Sequence, residues 1–324
     1  MKIISEFFSA SDRQDGGIYD ITLTDEFEFI IKKKISLQNV QWIEICGGRL
    51  CAAFRDKING DGYIEFALSG ERLSDIIRTR GRNVCHFCKD EDDIYFANYN
   101  DGCISKSNGK AFIQSGSTGP MKARQMSAHV HECIFSPNKK YVLACDLGLD
   151  AIIVYDRDLN EISRANVLPG HGVRHAVFSP DGGTLYALTE LASSIAKFSW
   201  NDGTLTYEKT YEMLSGSESA KGDGAEIVLS ADGKHLYATN RANPEFGTDN
   251  LICHFTVGDE LTLVSQVSSM GDHPRHFTLI ADGRYAVSSN TFGNSLSLFG
   301  VKENGDLEFI KSEPFPSPMC VKEL

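Results

Sequence analysis

The chain has 324 residues, of which 41% are hydrophobic and 23% are charged, which predicts a soluble globular protein with a sizeable core. No apolar run reaches the roughly 20 residues of a membrane helix, and the N-terminal residues lack the apolar stretch of a signal peptide. The net charge of −12 argues against a nucleic-acid partner, which would need a basic surface. The nine cysteines are scattered and odd in number, so we expect reduced thiols and a cytoplasmic location.

The elements predicted along the chain are nearly all β-strands. Short runs of alternating or β-branched residues recur, namely YDITLT (19–24), AIIVYD (151–156), LICHFTV (251–257) and NSLSLFGV (294–301). Gly, Asn and Asp separate these runs, as hairpin turns require. The sequence therefore predicts an all-β protein.

One hairpin pattern repeats through the chain, as a strand, a turn and a second apolar strand that ends on a polar residue. The copies cover residues 40–56, 82–99, 129–146, 172–190, 223–241 and 273–291. The turn residues of four successive copies, Asn138, Asp181, Asp232 and Asp282, are 43, 51 and 50 positions apart. A period of 40–50 residues built from strands indicates the blades of a β-propeller.

The two ends of the chain supply the pieces of a further blade. Residues 16–30 resemble an outer strand pair, and residues 315–324 resemble an inner strand. Joined in one sheet, they would make a seventh blade and close the ring, which removes exposed sheet edges. We therefore expect a single seven-bladed propeller domain over residues 1–324.

Unusual polar residues lie at the open ends of these hairpins, opposite the turns. They are His129, His131, Asp146, Arg174, His175, Glu190, Arg241, Arg275 and His276. Matching the copies on the apolar residue before the turn aligns His131 with Arg174 and Arg275. The same alignment sets Glu190 level with Arg241. Since blades are related by rotation, these positions would form a ring on one face that could hold a small anion and transfer protons beside it.

At these residues the sequence resembles the propeller-type lactonase family, which includes bacterial 6-phosphogluconolactonases and fungal muconate-lactonizing enzymes. The resemblance is carried by HVHECIFSPNKKYVLACDLGLDAIIVYD (129–156), VRHAVFSPDGGTLYALTEL (173–191), AEIVLSADGKHLYATNR (225–241) and HPRHFTLIADGRYAVSSN (273–290). It implies that the functional residues are His131 or His129, Arg174, Glu190 and Arg241. This chain has Val173 where the family commonly has Pro, and Thr189 where it commonly has Asn.

The resemblance implies hydrolysis of a sugar lactone with an anionic tail, such as 6-phosphogluconolactone. Glu190 is the predicted base, because it is the only carboxylate among the aligned basic positions, and His131 is the predicted proton donor. Arg174 and Arg241 would hold the oxyanion or the phosphate. Arg275 would be a further phosphate contact.

Several alternatives stay open from the sequence. His129 and Asp146 are further candidates for substrate binding, while His175 and His276 fall on the opposite strand face and are more typical of structural residues. A lactonizing isomerase, a hydrolase of another anionic lactone, or a non-catalytic propeller scaffold would share the same fold. We predict neither a cofactor nor a metal, no nucleic-acid or membrane partner, and a monomer or homodimer.

Overall fold

A computed structural model describes residues 2–7, 16–214, 222–245 and 247–324, with residues 2–7 described by their backbone alone. Every regular element in these ranges is a β-strand, which confirms the prediction of an all-β protein. None of the described residues forms a helix that could cross a membrane.

The strands are numbered in chain order. They are β1 Lys2–Phe7, β2 Gly17–Leu23, β3 Phe29–Ser36, β4 Val40–Cys46, β5 Arg49–Phe54, β6 Gly62–Ala67, β7 Ile77–Arg78, β8 Val84–Asp90, β9 Asp93–Asn98, β10 Cys103–Lys106, β11 Ala111–Ile113, β12 Val130–Phe135, β13 Tyr141–Asp146, β14 Ala151–Asp156, β15 Glu161–Asn166, β16 Val173–Phe178, β17 Thr184–Thr189, β18 Ser194–Asn201, β19 Thr204–Glu212, β20 Asp223–Leu229, β21 His235–Arg241, β22 Leu251–Val257, β23 Leu261–Ser268, β24 Pro274–Ile280, β25 Tyr285–Asn290, β26 Ser295–Val301, β27 Leu307–Pro314 and β28 Pro318–Glu323.

These strands form seven four-stranded sheets. Six of them take four consecutive strands each, in the order β4-β5-β6-β7, β8-β9-β10-β11, β12-β13-β14-β15, β16-β17-β18-β19, β20-β21-β22-β23 and β24-β25-β26-β27. The seventh has the order β28-β1-β2-β3, so it joins the first three strands of the chain to the last one. Ile3 of β1 pairs with Glu323 of β28 in antiparallel register.

The chain divides into two compact units. One comprises Met1–Asp56, Tyr63–Ile76 and Val228–Leu324, and the other comprises Lys57–Gly62 and Ile77–Ile227. The second unit contains the complete sheets β8–β11, β12–β15 and β16–β19. Its core includes Val142, Ile153 and Tyr155 in one cluster.

The burial of each strand follows its place in its sheet. In β13 and β14 almost every residue is buried on both faces, which explains why AIIVYD is a continuous apolar run rather than an alternating one. The fourth strand, β15, is mostly exposed, and its sequence EISRAN is correspondingly polar. The apolar pattern thus identifies the first three strands of a sheet more clearly than the fourth.

A β-bulge recurs at the second residue of the first strand in five sheets. The register shifts there by one residue, and the extra residues are Gln41, Cys85, His131, Arg174 and Arg275. A bulge takes one residue out of the pairing ladder and re-aims its side chain. His131, Arg174 and Arg275 therefore occupy the same structural position in their own sheets, as the sequence alignment predicts.

Candidate active site

Three of the predicted residues meet in the second unit. The guanidinium Nη1 of Arg174 contacts Nε2 of His131 and donates to Oε2 of Glu190 over 2.9 Å. The other face of the same guanidinium is tied to the backbone, since Nε donates to the carbonyl oxygen of Ala225 over 2.8 Å. The side chains of Arg174 and Glu190 are each 3% exposed. The structure therefore brings together three of the residues that the sequence singled out.

The contact between His131 and Arg174 fixes the state of the imidazole. A guanidinium has only donors, so Nε2 of His131 must accept. The proton of the ring is then on Nδ1, and the imidazole is neutral in this arrangement. His131 is thus held in one tautomer by the same arginine that pairs with Glu190.

A second arginine, Arg124, reaches the other oxygen of Glu190. Its Nη2 contacts Oε1 of Glu190, and its Nη1 lies 3.5 Å from Oδ1 of Asp223 at the start of β20. Burial alone would lower the pKa of Arg124, but the pairing with Glu190 outweighs it and raises that pKa above the usual arginine range. Glu190 is therefore flanked by two guanidinium groups, one on each carboxylate oxygen.

Arg124 lies on the segment that links β11 to β12, outside the repeated hairpins. The next residue, Gln125, anchors this segment and is 1% exposed. Its Nε2 donates to Oδ1 of Asp150 over 2.7 Å and to the carbonyl of Leu147 over 2.9 Å. Asp150 in turn accepts from the backbone amides of Gly170 and Gly172 over 2.7 and 2.6 Å. One buried carboxylate thus connects the segment before β12 to the segment before β16.

Aromatic rings border the same site. The ring of Tyr99 stacks on His129 with 4.6 Å between ring centroids and stands edge-on to His131 at 5.6 Å. The Nδ1 of His129 is 2.9 Å from the carbonyl oxygen of Tyr99. Burial, followed by the charge of Glu190, raises the pKa of Tyr99, although its hydrogen bond with Arg124 opposes this. The structure therefore places His131 against Arg174, and His129 against Tyr99.

Asp146 lies at the end of β13 and has no exposed surface. Its Oδ1 accepts from the backbone amides of His129 and Leu149 over 2.9 and 3.0 Å. Burial raises the pKa of Asp146 to about 6 despite these backbone hydrogen bonds. These contacts hold two turns in place, and substrate binding by Asp146 stays a prediction from the sequence.

The remaining two predicted residues lie in the other unit. Arg241 is the last residue of β21 and is buried. Arg275 is the bulge residue of β24 and is partly exposed. In its sheet, Arg241 occupies the position that Glu190 has in its own. Arg275 likewise occupies the position of Arg174.

A second polar layer lies in the first strands of these sheets. In the second unit it consists of His86, Glu132 and His175, each of which follows a bulge, and of Glu226 in β20. The Nδ1 of His175 is 2.9 Å from Oε1 of Glu226, and the Nε2 of His86 is 3.8 Å from Oε1 of Glu132. The ring of His175 also stands edge-on to His131, with 5.1 Å between centroids. This layer links successive sheets, which is the structural role expected for His175.

Three further residues of the site were not predicted from the sequence, namely Arg124, Asp223 and Tyr99. A signal for Tyr99 existed, because it follows the last residue of β9 as Glu190 follows β17. Arg124 has no counterpart in the other copies, so an alignment of hairpins could not find it. Among the described residues, no group of three or more His, Cys, Asp or Glu side chains is arranged to hold a metal ion.

A family model described as "Lactonase, 7-bladed beta-propeller" matches residues 7–323. A 6-phosphogluconolactonase of Bacillus subtilis is 27% identical over 341 residues, covering 95% of this chain and 94% of that protein. One of Formosa agariphila is 29% identical over 264 residues, covering 74% and 72%. A solved structure from Bacteroides uniformis, provisionally assigned as a 6-phosphogluconolactonase, is 26% identical, has a TM-score of 0.88 and covers 99% of this chain and 98% of that one.

Proposed function

Because the chain belongs to the lactonase family of seven-bladed β-propellers, we propose that it hydrolyses 6-phosphoglucono-1,5-lactone to 6-phosphogluconate. The single observation that carries this proposal is the buried cluster of His131, Arg174 and Glu190. A carboxylate, an imidazole and a guanidinium within contact distance can supply a general base, a proton donor and an oxyanion-stabilising group. These are the functions that ester hydrolysis needs. The relatives named as 6-phosphogluconolactonases support the choice of lactone.

The proposed reaction begins with a water molecule held by Glu190. Glu190 takes a proton from this water as its oxygen attacks the lactone carbonyl carbon, and Arg174 stabilises the oxyanion that forms. Collapse of the tetrahedral intermediate breaks the bond between that carbon and the ring oxygen, which leaves as a hydroxyl. The proton that Glu190 took from the water passes through Nε2 of His131 to this oxygen, so both side chains return to their starting state. For this transfer the contact of Nε2 with Arg174 opens when substrate enters.

We further propose that the seven sheets are the blades of one ring that covers residues 1–324. The sheet that joins β28 to β1, β2 and β3 is the piece that such a ring needs for closure. That Arg241 and Arg275 add positive charge for an anionic substrate remains a prediction from the sequence. A cytoplasmic location and a monomer or homodimer remain predictions from the sequence.

The substrate is tested by hydrolysis at constant pH with freshly prepared 6-phosphoglucono-1,5-lactone and with unphosphorylated glucono-1,5-lactone. Spontaneous hydrolysis is subtracted from each trace, and every assay is repeated with a chelator. We expect catalysis of the phosphorylated lactone, with a higher kcat/KM than for the unphosphorylated one and no loss on chelation. A rate no greater than the spontaneous one for both lactones would contradict the proposed function.

A further inference from the structure

We propose that Arg124 binds the phosphate group of the substrate. This inference rests on the proposed lactone hydrolysis, and it adds a residue that lies outside the repeated hairpins. It also separates two tasks that the sequence left undivided between Arg174 and Arg241, namely stabilising the oxyanion and binding the anionic tail.

Arg174 has little capacity left for a bulky anion. Its side chain is 3% exposed. Its Nε is used by the carbonyl of Ala225, and its Nη1 is shared between His131 and Glu190. Bidentate binding of a phosphate needs two adjacent N–H groups of one guanidinium. Arg174 is therefore suited to a single contact deep in the site, such as one with the oxyanion.

Arg124, by contrast, both contacts the site and is accessible from solvent. Its side chain is 39% exposed, although it touches Oε1 of the buried Glu190. Its Nη1 is 3.5 Å from Asp223, which is longer than a normal hydrogen bond. A phosphate with nearly two negative charges at pH 7 would form stronger bonds with Nη1 than this long contact provides.

Arg124 is also held in place before substrate arrives. Gln125 next to it is buried and bonded to Asp150 and to the carbonyl of Leu147. The side chain of Arg124 is further oriented by its contact with Glu190. An arginine that is already ordered loses less conformational entropy when it binds an anion. The site thus has a preorganised cationic group at its exposed side.

The inference is tested first by kinetics with Arg124→Ala. The control is Arg82→Ala, since Arg82 is also paired with an aspartate, Asp101, but is 81% exposed. Loss of the contact with Glu190 affects both lactones, whereas loss of a phosphate contact affects only the phosphorylated one. We expect Arg124→Ala to lower the ratio of kcat/KM for phosphorylated over unphosphorylated lactone by about 10- to 100-fold, mainly through KM. An unchanged ratio would overturn the inference, and Arg82→Ala should leave both values unchanged.

A binding measurement separates this inference from the proposed function. Calorimetric titration with 6-phosphogluconate and with gluconate needs no turnover, so it remains informative even if neither lactone is hydrolysed. We expect Arg124→Ala to weaken 6-phosphogluconate binding by about 10-fold or more, and Asp223→Asn to strengthen it by removing a competing carboxylate. Equal affinity of wild type and Arg124→Ala, or weaker binding by Asp223→Asn, would contradict the role of Arg124.

Discussion

Replacement of Asp146 by Asn is expected to stabilise the protein at neutral pH and to have little effect in acid. Asp146 is fully buried, and burial raises its pKa from 3.8 to about 6. Below about pH 3 the group is protonated in both the folded and the unfolded chain, so its charge costs nothing. Between about pH 4 and pH 6 the unfolded chain is ionised while the folded protein keeps Asp146 protonated, so stability falls as the pH rises, and above pH 6 the loss is complete. Asn keeps the oxygen that accepts from the amides of His129 and Leu149 and has no charge to bury.

The expected size of this effect follows from the pKa values. A tenfold change in proton affinity corresponds to about 1.4 kcal/mol. The difference between 3.8 and about 6 therefore corresponds to about 3 kcal/mol, gained by the variant between pH 4 and pH 7. A measured gain of about 1–3 kcal/mol would agree with this reasoning, because residual structure in the unfolded chain makes the difference between the folded and unfolded states smaller.

The assay is urea or thermal unfolding of wild type and Asp146→Asn at several values between pH 4 and pH 7.5. A control is Asp181→Asn, an exposed turn residue whose pKa is lowered by hydrogen bonds from Ser179 and from the amide of Gly183. That variant should lose stability relative to wild type as the pH rises, which is the opposite direction. A stability difference for Asp146→Asn that stays constant with pH, or reverses, would refute the reasoning.

Two further variants test the framework of the site. A Cβ on Gly148 would lie 1.8 Å from the backbone oxygen of Ser127, whereas one on Gly183 would have no neighbour nearer than 3.6 Å. Gly148→Ala should therefore lower the free energy of unfolding by at least about 2 kcal/mol, and Gly183→Ala should be tolerated. The midpoints of urea unfolding would measure both effects. Arg174→Lys removes the planar guanidinium that joins Ala225, His131 and Glu190. We expect the free energy of unfolding to fall by about 2–4 kcal/mol and most of the lactonase activity to be lost. Unfolding and rates close to those of the wild type would show that a positive charge alone is enough at this position.

The fold was largely predictable because the same local chemistry repeats. Most of the hairpins have Asp or Asn in the turn, as in Ser179–Asp181 and Ser230–Asp232, where the serine hydroxyl bonds the aspartate. Such local hydrogen bonds depend on neighbouring residues alone and are therefore visible in a sequence. The apolar runs between these turns recur once per sheet. The all-β class and the alignment of His131 with Arg174 could therefore be predicted from the sequence.

Only the site residues that lie in the repeated hairpins could be predicted from the sequence. Glu190 and Arg174 belong to one hairpin, and their closeness follows from antiparallel pairing of β16 with β17. Arg124 reaches Glu190 through a tertiary contact 66 positions apart, which no local pattern encodes. Asp146 shows the converse limit, because an acid at a strand end is equally able to face a pocket or to bond backbone amides, and only the three-dimensional contacts distinguish the two.

The most direct test of the central claim is the rate of Glu190→Gln on 6-phosphoglucono-1,5-lactone. The control is Glu161→Gln, a glutamate that is also paired with an arginine, Arg164, but lies on the exposed strand β15. Loss of a general base typically costs about 10²- to 10⁴-fold in rate. We predict a loss of that size for Glu190→Gln at an unchanged fold, with Glu161→Gln at the wild-type rate. Full activity of Glu190→Gln would contradict the assignment of this cluster as the active site.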